Sequence, residues 1–375
     1  MDRSLTVSQR AFNRGSAPSH HGIRNNASVS TETRPWLRLY GKSAAAASIE
    51  PGDEAMKKTV RCGLALAALA AIIAQPGHAA DKLRVAKASP TSVAMLPLNV
   101  GVATGIFTKH GLDVEVTVFA GGSKLHQAMA AGAVDIGIGA GPELALIAKG
   151  SPELAICNSS RPALFLGISV PADSPVRAPA DLKGAKIGVS SIGSLTYWLA
   201  REFARTRGWG PEGVVTVAIG GESAAYIAAF RTHAVDAGIM PTSLAFEMEE
   251  QKEGWLLLPV SDYVGNMSSG TIFASKALIA SDPEQIRRFL LGWFDAVVFM
   301  RKNKAETVKI AAEMTGFSAA VQAKEYDLTM PMFNDDGKFD KESLDTLERS
   351  FEDLKLLDTK PDMSKLYTEE FLPKH

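Results

Sequence analysis

The sequence predicts a two-lobed α/β protein, and the main ground is a near-repeat. Gly121-Gly122-Ser123 opens a small-residue helical pattern that ends in Ala133-Val134-Asp135-Ile136-Gly137-Ile138. Gly220-Gly221-Glu222-Ser223 opens another, which ends in Ala234-Val235-Asp236-Ala237-Gly238-Ile239. Ala128, Ala133, Val134, Asp135, Gly137 and Ile138 match Ala229, Ala234, Val235, Asp236, Gly238 and Ile239 at one constant offset. Chance similarity in Ala- and Gly-rich sequence is the plain alternative, weakened because each copy sits between two strand patterns. The second ground is that strands and helices alternate, which implies mainly parallel sheets covered on both faces. Two related α/β lobes hold a ligand in the cleft between them.

The elements follow in order. Residues 82–88 alternate polar and apolar as a strand, and 95–104 form a short helix closed by Gly105-Ile106-Phe107. Residues 112–119 alternate again, and the next helix buries Leu125, Ala128, Met129 and Gly132 at helical spacing. Residues 134–138 are a strand, Gly141-Pro142 opens a helix to about Ala148, and 154–157 and 163–170 are apolar strands. The proline-rich stretch 171–179 is the expected first crossing between lobes. In the second lobe, 186–189 is a strand and Ser194 caps a helix with Leu195, Trp198, Leu199 and Phe203 on one face. Arg201, Arg205 and Arg207 load its C-terminal end, where cations suit the dipole, and Gly208 stops it. Strand 214–219, the second repeat unit and strand 256–260 complete this lobe, and 263–270 returns the chain. From Asp282-Pro283-Glu284 the pattern is helical, with Ile286, Phe289, Leu290, Trp293 and Phe294 as a core stripe, then helices near 305–315, 319–328 and 343–356. These boundaries give lobe 1 as 81–171 plus 268–375, with the helical C-terminal part on it, and lobe 2 as 172–267.

The first 80 residues carry targeting signals. Met56-Lys57-Lys58-Thr59-Val60-Arg61 is basic, 62–74 is uncharged and apolar, and Gln75-Pro76-Gly77-His78-Ala79 ends in small residues. That is the layout of a secretory signal peptide over 56–79. Its apolar run is shorter than the roughly 20 residues a membrane span takes. Residues 1–55 are polar and aperiodic, and three readings fit them: a start assigned upstream of Met56, a disordered extension, or a transit peptide. After cleavage Cys157 is the single remaining cysteine, so no intramolecular disulfide forms. Export without disulfides suits a bacterial periplasm. With 40 Lys+Arg against 41 Asp+Glu and no basic stripe, a nucleic-acid partner is not expected.

Ligands of such sheets sit beyond the carboxyl ends of strands. Those positions hold Ser89, Thr91 and Ser92, then Gly122 and Ser123, Gly141 and Pro142, and Asn158 and Arg161. The second lobe offers Ser190, Ser191, Gly193, Ser194 and Thr196, with Glu222, Met240 and Pro241. Small and hydroxylic residues dominate, giving hydrogen bonds but little acid–base machinery. The loop from Ser190 to Ser194, at a helix N-terminus, reads as anion-seeking or as an ordinary capped turn. Arg161 is the one cationic side chain expected at a cleft-facing strand end, where it reads equally as a partner for an anionic ligand or as a surface arginine. Cys157 is either a buried thiol or a nucleophile. Asp135 and Asp236 read as strand-start anchors rather than a catalytic pair. His110, His126, His233 and His375 are scattered, with no metal-ligand spacing, Walker loop or Gly-x-Ser-x-Gly, so no metal, cofactor or catalytic residue is expected.

Residues 95–107 (MLPLNVGVATGIF), 110–116 (HGLDVEV), 132–138 (GAVDIGI), 181–189 (DLKGAKIGV) and 234–241 (AVDAGIMP) resemble periplasmic substrate-binding proteins of sulfonate, nitrate and taurine ABC importers. That group also includes relatives of thiamine-pyrimidine synthases. The resemblance implies a type II-like periplasmic-binding-protein fold with two crossovers, hinge closure on a ligand, and delivery to a membrane permease with its ATPase. It further implies a periplasmic, monomeric receptor for a small organic anion. Residues 91–98 depart from the family's form in lacking an aromatic before the helix. Two alternatives accompany this expectation. One is an enzyme on the same fold, a Cys157-dependent sulfinate hydrolase or a pyrimidine-precursor synthase. The other is a receptor for a neutral or cationic heterocycle such as a thiamine-precursor pyrimidine, held by Glu222 with Tyr226 or Tyr263.

Overall fold

The computed structural model describes residues 80–374 except 120 and 193. The expected signal peptide, the segment before it, Gly193 and His375 lie outside the described residues. The chain builds two five-stranded sheets. The first holds β1 (Asp81–Lys87), β2 (Leu112–Val118), β3 (Ile136–Gly139) and β4 (Glu153–Ser160). The second holds β5 (Leu166–Pro171), β6 (Lys186–Val189), β7 (Val215–Ala218), β8 (Ala237–Pro241) and β9 (Gly254–Pro259), and β10 (Gly270–Ser275) returns to the first. The orders are β2-β1-β3-β10-β4 and β7-β6-β8-β5-β9. These orders superimpose if β10 is equated with β5, so the repeat in the sequence is one topology used twice.

Within each sheet three strands run parallel, β1 with β2 and β3, and β6 with β7 and β8. The strand arriving from the other lobe is antiparallel to both neighbours, β10 to β3 and β4 and β5 to β8 and β9. Four strands of each sheet thus run one way and a single strand is reversed, so the mainly parallel sheets are mixed by that one strand. Because β5 hydrogen-bonds only within the second sheet, the first crossing occupies 161–165. The expected boundary at 171 is corrected by that pairing. Both strands flanking the true crossing are buried, and the proline-rich 171–179 is a loop inside lobe 2.

The longer helices are α1 (Leu96–Ala103), α2 (Gly122–Ala130), α3 (Leu195–Thr206), α4 (Ser223–Arg231), α5 (Thr242–Glu250), α6 (Pro283–Lys302), α7 (Lys304–Thr315), α8 (Ala319–Thr329) and α9 (Lys341–Asp353). α3 buries Trp198, Leu199 and Phe203, and Ser194 caps it by accepting from the Tyr197 N–H at 3.3 Å. α6 starts on an Asp282 cap with Pro283 in its first turn and buries Phe289, Leu290 and Trp293; the Phe289 ring stacks on Phe107 at 5.1 Å. The C-terminal helices also reach lobe 2. α8 packs on α5, and the Trp198 indole N–H donates to Asp353 at 2.9 Å. Buried Glu202 of α3 takes Arg349 of α9 at 3.2 Å.

The repeated aspartates do matching work. Asp135 accepts from the Arg84 N–H at 3.1 Å and Asp236 from the Lys186 N–H at 2.8 Å. Each thus anchors the neighbouring strand, β1 or β6, to the start of β3 or β8. The glycines before α2 and α4 are equivalent too. Gly121 (φ 104°) and Gly220 (φ 92°) take a conformation that side chains disfavour, and their N–H groups reach the Ala88 and Ser190 carbonyls.

Candidate functional site

The carboxyl ends of β1, β3 and β8 converge on a cleft of about 320 Å³, within the range of small-molecule sites. Lobe 1 contributes Ala88, Ser89, Thr91, Ser92 and Val93 after β1, Gly121 and Gly122 at α2, and Gly139, Ala140 and Glu143 after β3. Lobe 2 contributes Phe165 and Leu166 from the first crossing, Leu195 and Thr196 from α3, and Pro241 and Ser243 beyond β8. Ser269 of the return crossing and Glu325 of α8 close the wall. The surface is largely apolar, with hydroxyls and two carboxylates.

The strand-end positions fall into two groups. Ser89, Thr91, Ser92, Gly122, Thr196 and Pro241 line the cleft. Ser123, Gly141, Pro142, Asn158, Arg161, Ser190, Ser191, Ser194, Glu222 and Met240 are not among the lining residues. Gly141 packs against the Ser268 carbonyl and Leu347, leaving no room for a side chain. Asn158 is buried and accepts from Ser268 Oγ at 2.9 Å. Met240 is core, and Glu222 is an exposed position preceding α4. The hydroxyls of Ser190, Ser194 and Thr196 bond to one another at 3.0 Å, and Ser194 also donates to the Ser191 carbonyl. That loop is a self-satisfied capped turn. Arg161 turns from the cleft, its Nε 3.1 Å from Asp340 and its Nη1 2.6 Å from the Lys338 carbonyl. The expected cleft cation is thereby corrected: no Lys, Arg or His is among the described residues lining the site.

Glu143 instead brings charge to the wall. Its Oε2 lies 2.7 Å from His126 Nε2, and His126 Nδ1 lies 2.7 Å from Glu153 Oε1. The imidazole is buried with Phe273 edge-on at 4.7 Å. Burial alone would favour the neutral ring, but hydrogen bonds and attraction from Glu143 and Glu153 outweigh it and raise the pKa to about 9. His126 is thus a cation between two carboxylates. The Glu143 carboxyl lies where Cβ atoms on Gly122 or Gly139 would overlap it, so those glycines make its seat.

Glu325 is the second carboxyl group in the lining, 1% exposed. Its Oε1 accepts from the Thr242 hydroxyl at 3.0 Å, while Oε2 is buried without a partner among the described residues. Burial raises its pKa to about 8. Lys87, on β1 below the cleft, is itself buried, and its ammonium donates to the Pro90 carbonyl and Asn99 Oδ1. Burial lowers its pKa to about 8.

Cys157 sits on β4 against Gly337, Leu372 and Phe294, fully buried, and desolvation pushes its thiol well above the ordinary range. Tyr226, one of the aromatics expected at a heterocycle, is core and donates to the Ile239 carbonyl at 2.7 Å. Phe165, Glu143 and Glu325 went unread in the sequence as cleft residues. Phe165 lies in a crossing placed elsewhere, and Glu325 stands on a helix whose pattern reads only as packing.

Residues 93–307 match the family model described as NMT1/THI5 like. A protein of Brucella abortus (strain 2308), provisionally named a binding protein, is 30% identical over 214 residues, 56% of this chain and 64% of its own length. The chain therefore spans less than two thirds of that relative. The periplasmic aliphatic sulphonate binding protein SsuA of Escherichia coli shares the fold with a TM-score of 0.66 at 19% identity, over 76% of this chain and 92% of that one. The desulfurization enzyme DszB shares it with a TM-score of 0.57 at 16% identity, over 78% and 97%. The fold is that of periplasmic binding proteins, which carries receptors and at least one enzyme.

Proposed function

The chain belongs to the NMT1/THI5-like family, and from that premise we propose that it is the solute-binding receptor of an ABC importer. It works in the periplasm, closes its lobes on a small organic solute and presents the closed form to a permease with its ATPase. One observation carries this reading: the cleft is walled by both lobes and by the crossings at 161–165 and 260–269 that a closing motion would bend. Its apolar surface supplies burial energy, and its hydroxyls and carboxylates orient the solute.

The enzymatic alternative needs a nucleophile at the cleft. Cys157 lies outside the lining residues, buried against the C-terminal segment with a thiol that resists ionisation. The geometry supports binding over turnover. The sulphonate named for the Escherichia coli neighbour would find only main-chain N–H groups and hydroxyls here.

Thermal unfolding with a solute panel, paired with small-angle scattering, tests the proposal. A true solute at a hundred times its dissociation constant adds about 2.7 kcal/mol of stability and shrinks the radius of gyration. Stabilisation without compaction would reject hinge closure. Conversion of a bound solute to product would reject the receptor reading in favour of an enzyme.

A further inference from the structure

Resting on the reading of the cleft as the ligand site, we propose that the solute presents a positively charged nitrogen group to Glu143 and Glu325, and is not a sulfonate or carboxylate. Three observations carry this.

First, the ionisable side chains among the described residues lining the cleft are both acidic, and the candidate cation Arg161 is bound to Asp340 outside it. The buried Glu143–His126–Glu153 chain sets two carboxyl groups against one imidazole. Lys87 does not line the cleft, and its ammonium is already spent on Pro90 and Asn99.

Second, Glu143 occupies the seat at Gly122 and Gly139, where the N-terminus of α2 meets the end of β3. A helix N-terminus at a strand end favours an anion, and here the protein supplies its own. A ligand anion would have to displace that carboxylate or lie beside it with no cationic side chain in the lining.

Third, Glu325 Oε2 is a buried polar atom in the cleft wall with no hydrogen-bond partner among the described residues. Unpaired buried acceptors are costly. A donor on the solute would satisfy it, and a cation would let the carboxyl ionise.

Benzylamine and benzenesulfonate share a ring and carry opposite charges; agmatine and ethanesulfonate extend the comparison without the ring. Binding of all four to the purified protein is measured by calorimetry and by the thermal midpoint. We expect the amines to bind and raise the midpoint, with affinity rising as pH is taken from 6 to 8 because the bound cation draws the proton from Glu325. Glu143→Gln and Glu325→Gln each weaken amine binding at least tenfold, and Glu143→Asp, which keeps the charge, restores part of it if Glu143→Gln folds poorly. Circular dichroism checks the fold of each variant. Preferential binding of the sulfonates overturns the charge assignment and leaves the receptor reading standing. Binding of none of the four overturns the charge assignment, whereas failure of any solute in the wider panel to bind with compaction in scattering overturns the receptor reading as well.

Discussion

The Thr242 hydroxyl donates to Glu325 Oε1 at 3.0 Å, tying the helix after β8 to C-terminal helix α8 across the cleft wall. The carboxyl is 1% exposed and, through burial, holds its proton to about 8 against an ordinary 4.5. Between those values the folded chain binds more protons than the unfolded one, so this group's contribution to stability falls as pH rises from about 4.5 to about 8. Glu325→Gln should remove that slope and raise the thermal midpoint at pH 8 by at least roughly 2 °C. Midpoints measured every half pH unit in both proteins check it; parallel curves would refute the assignment.

His126 gives a second pH dependence of the same sign in a higher window. Its folded pKa of about 9 lies above the ordinary 6.5, so its stabilisation is complete below about 6.5 and is lost as pH rises toward 9. Removing the ring strands Glu153, which is 0% exposed, as an unpaired buried charge. His126→Ala should therefore cost about 3–5 kcal/mol by urea unfolding at pH 6.5. A cost under about 1 kcal/mol would mean that the Glu–His–Glu chain is not ionised as assigned.

Gly139→Ala tests the seat of Glu143. The added methyl would overlap Glu143 Oε2, and because that atom tips a flexible side chain the fold should survive, at about 1–3 kcal/mol. Displaced from the seat, the carboxyl loses His126 and its aim at the cleft. The expected result is at least a tenfold loss of affinity for an amine probe, read by calorimetry, with an unchanged circular dichroism spectrum.

The two lobes were legible because their signals are local. The stripe Trp198, Leu199, Phe203 and the caps at Ser194 and Asp282 depend on neighbours within a turn, and all are present. The Asp135 and Asp236 anchors were legible as strand-start features, though their donors, Arg84 and Lys186, sit on the adjacent strands. The crossing at 161–165 was missed because β5 reads like any apolar strand, and only pairing reveals its sheet. The charge of the cleft was invisible for a related reason. His126, Glu143 and Glu153 are brought together by α2, the turn after β3 and the start of β4, with no motif spacing among them. Strand-end logic finds the small residues Ser89, Thr91 and Gly122. It cannot find Glu325, which α8 delivers to the cleft from the far end of the chain.

Cys157 separates receptor from enzyme in solution. Its thiol is fully buried against Gly337, Leu372 and Phe294 and pushed up by desolvation, so the reactive thiolate is scarce and shielded at neutral pH. Iodoacetamide should leave the folded protein unmodified for hours and label it fully in 6 M guanidinium, as mass spectrometry would show. Cys157→Ala removes one buried sulfur and should cost roughly 1–2 kcal/mol while changing the dissociation constant of an amine probe less than twofold. Rapid labelling of the native chain, or a variant that folds but no longer binds, would return the thiol to the cleft and reopen the case for covalent chemistry.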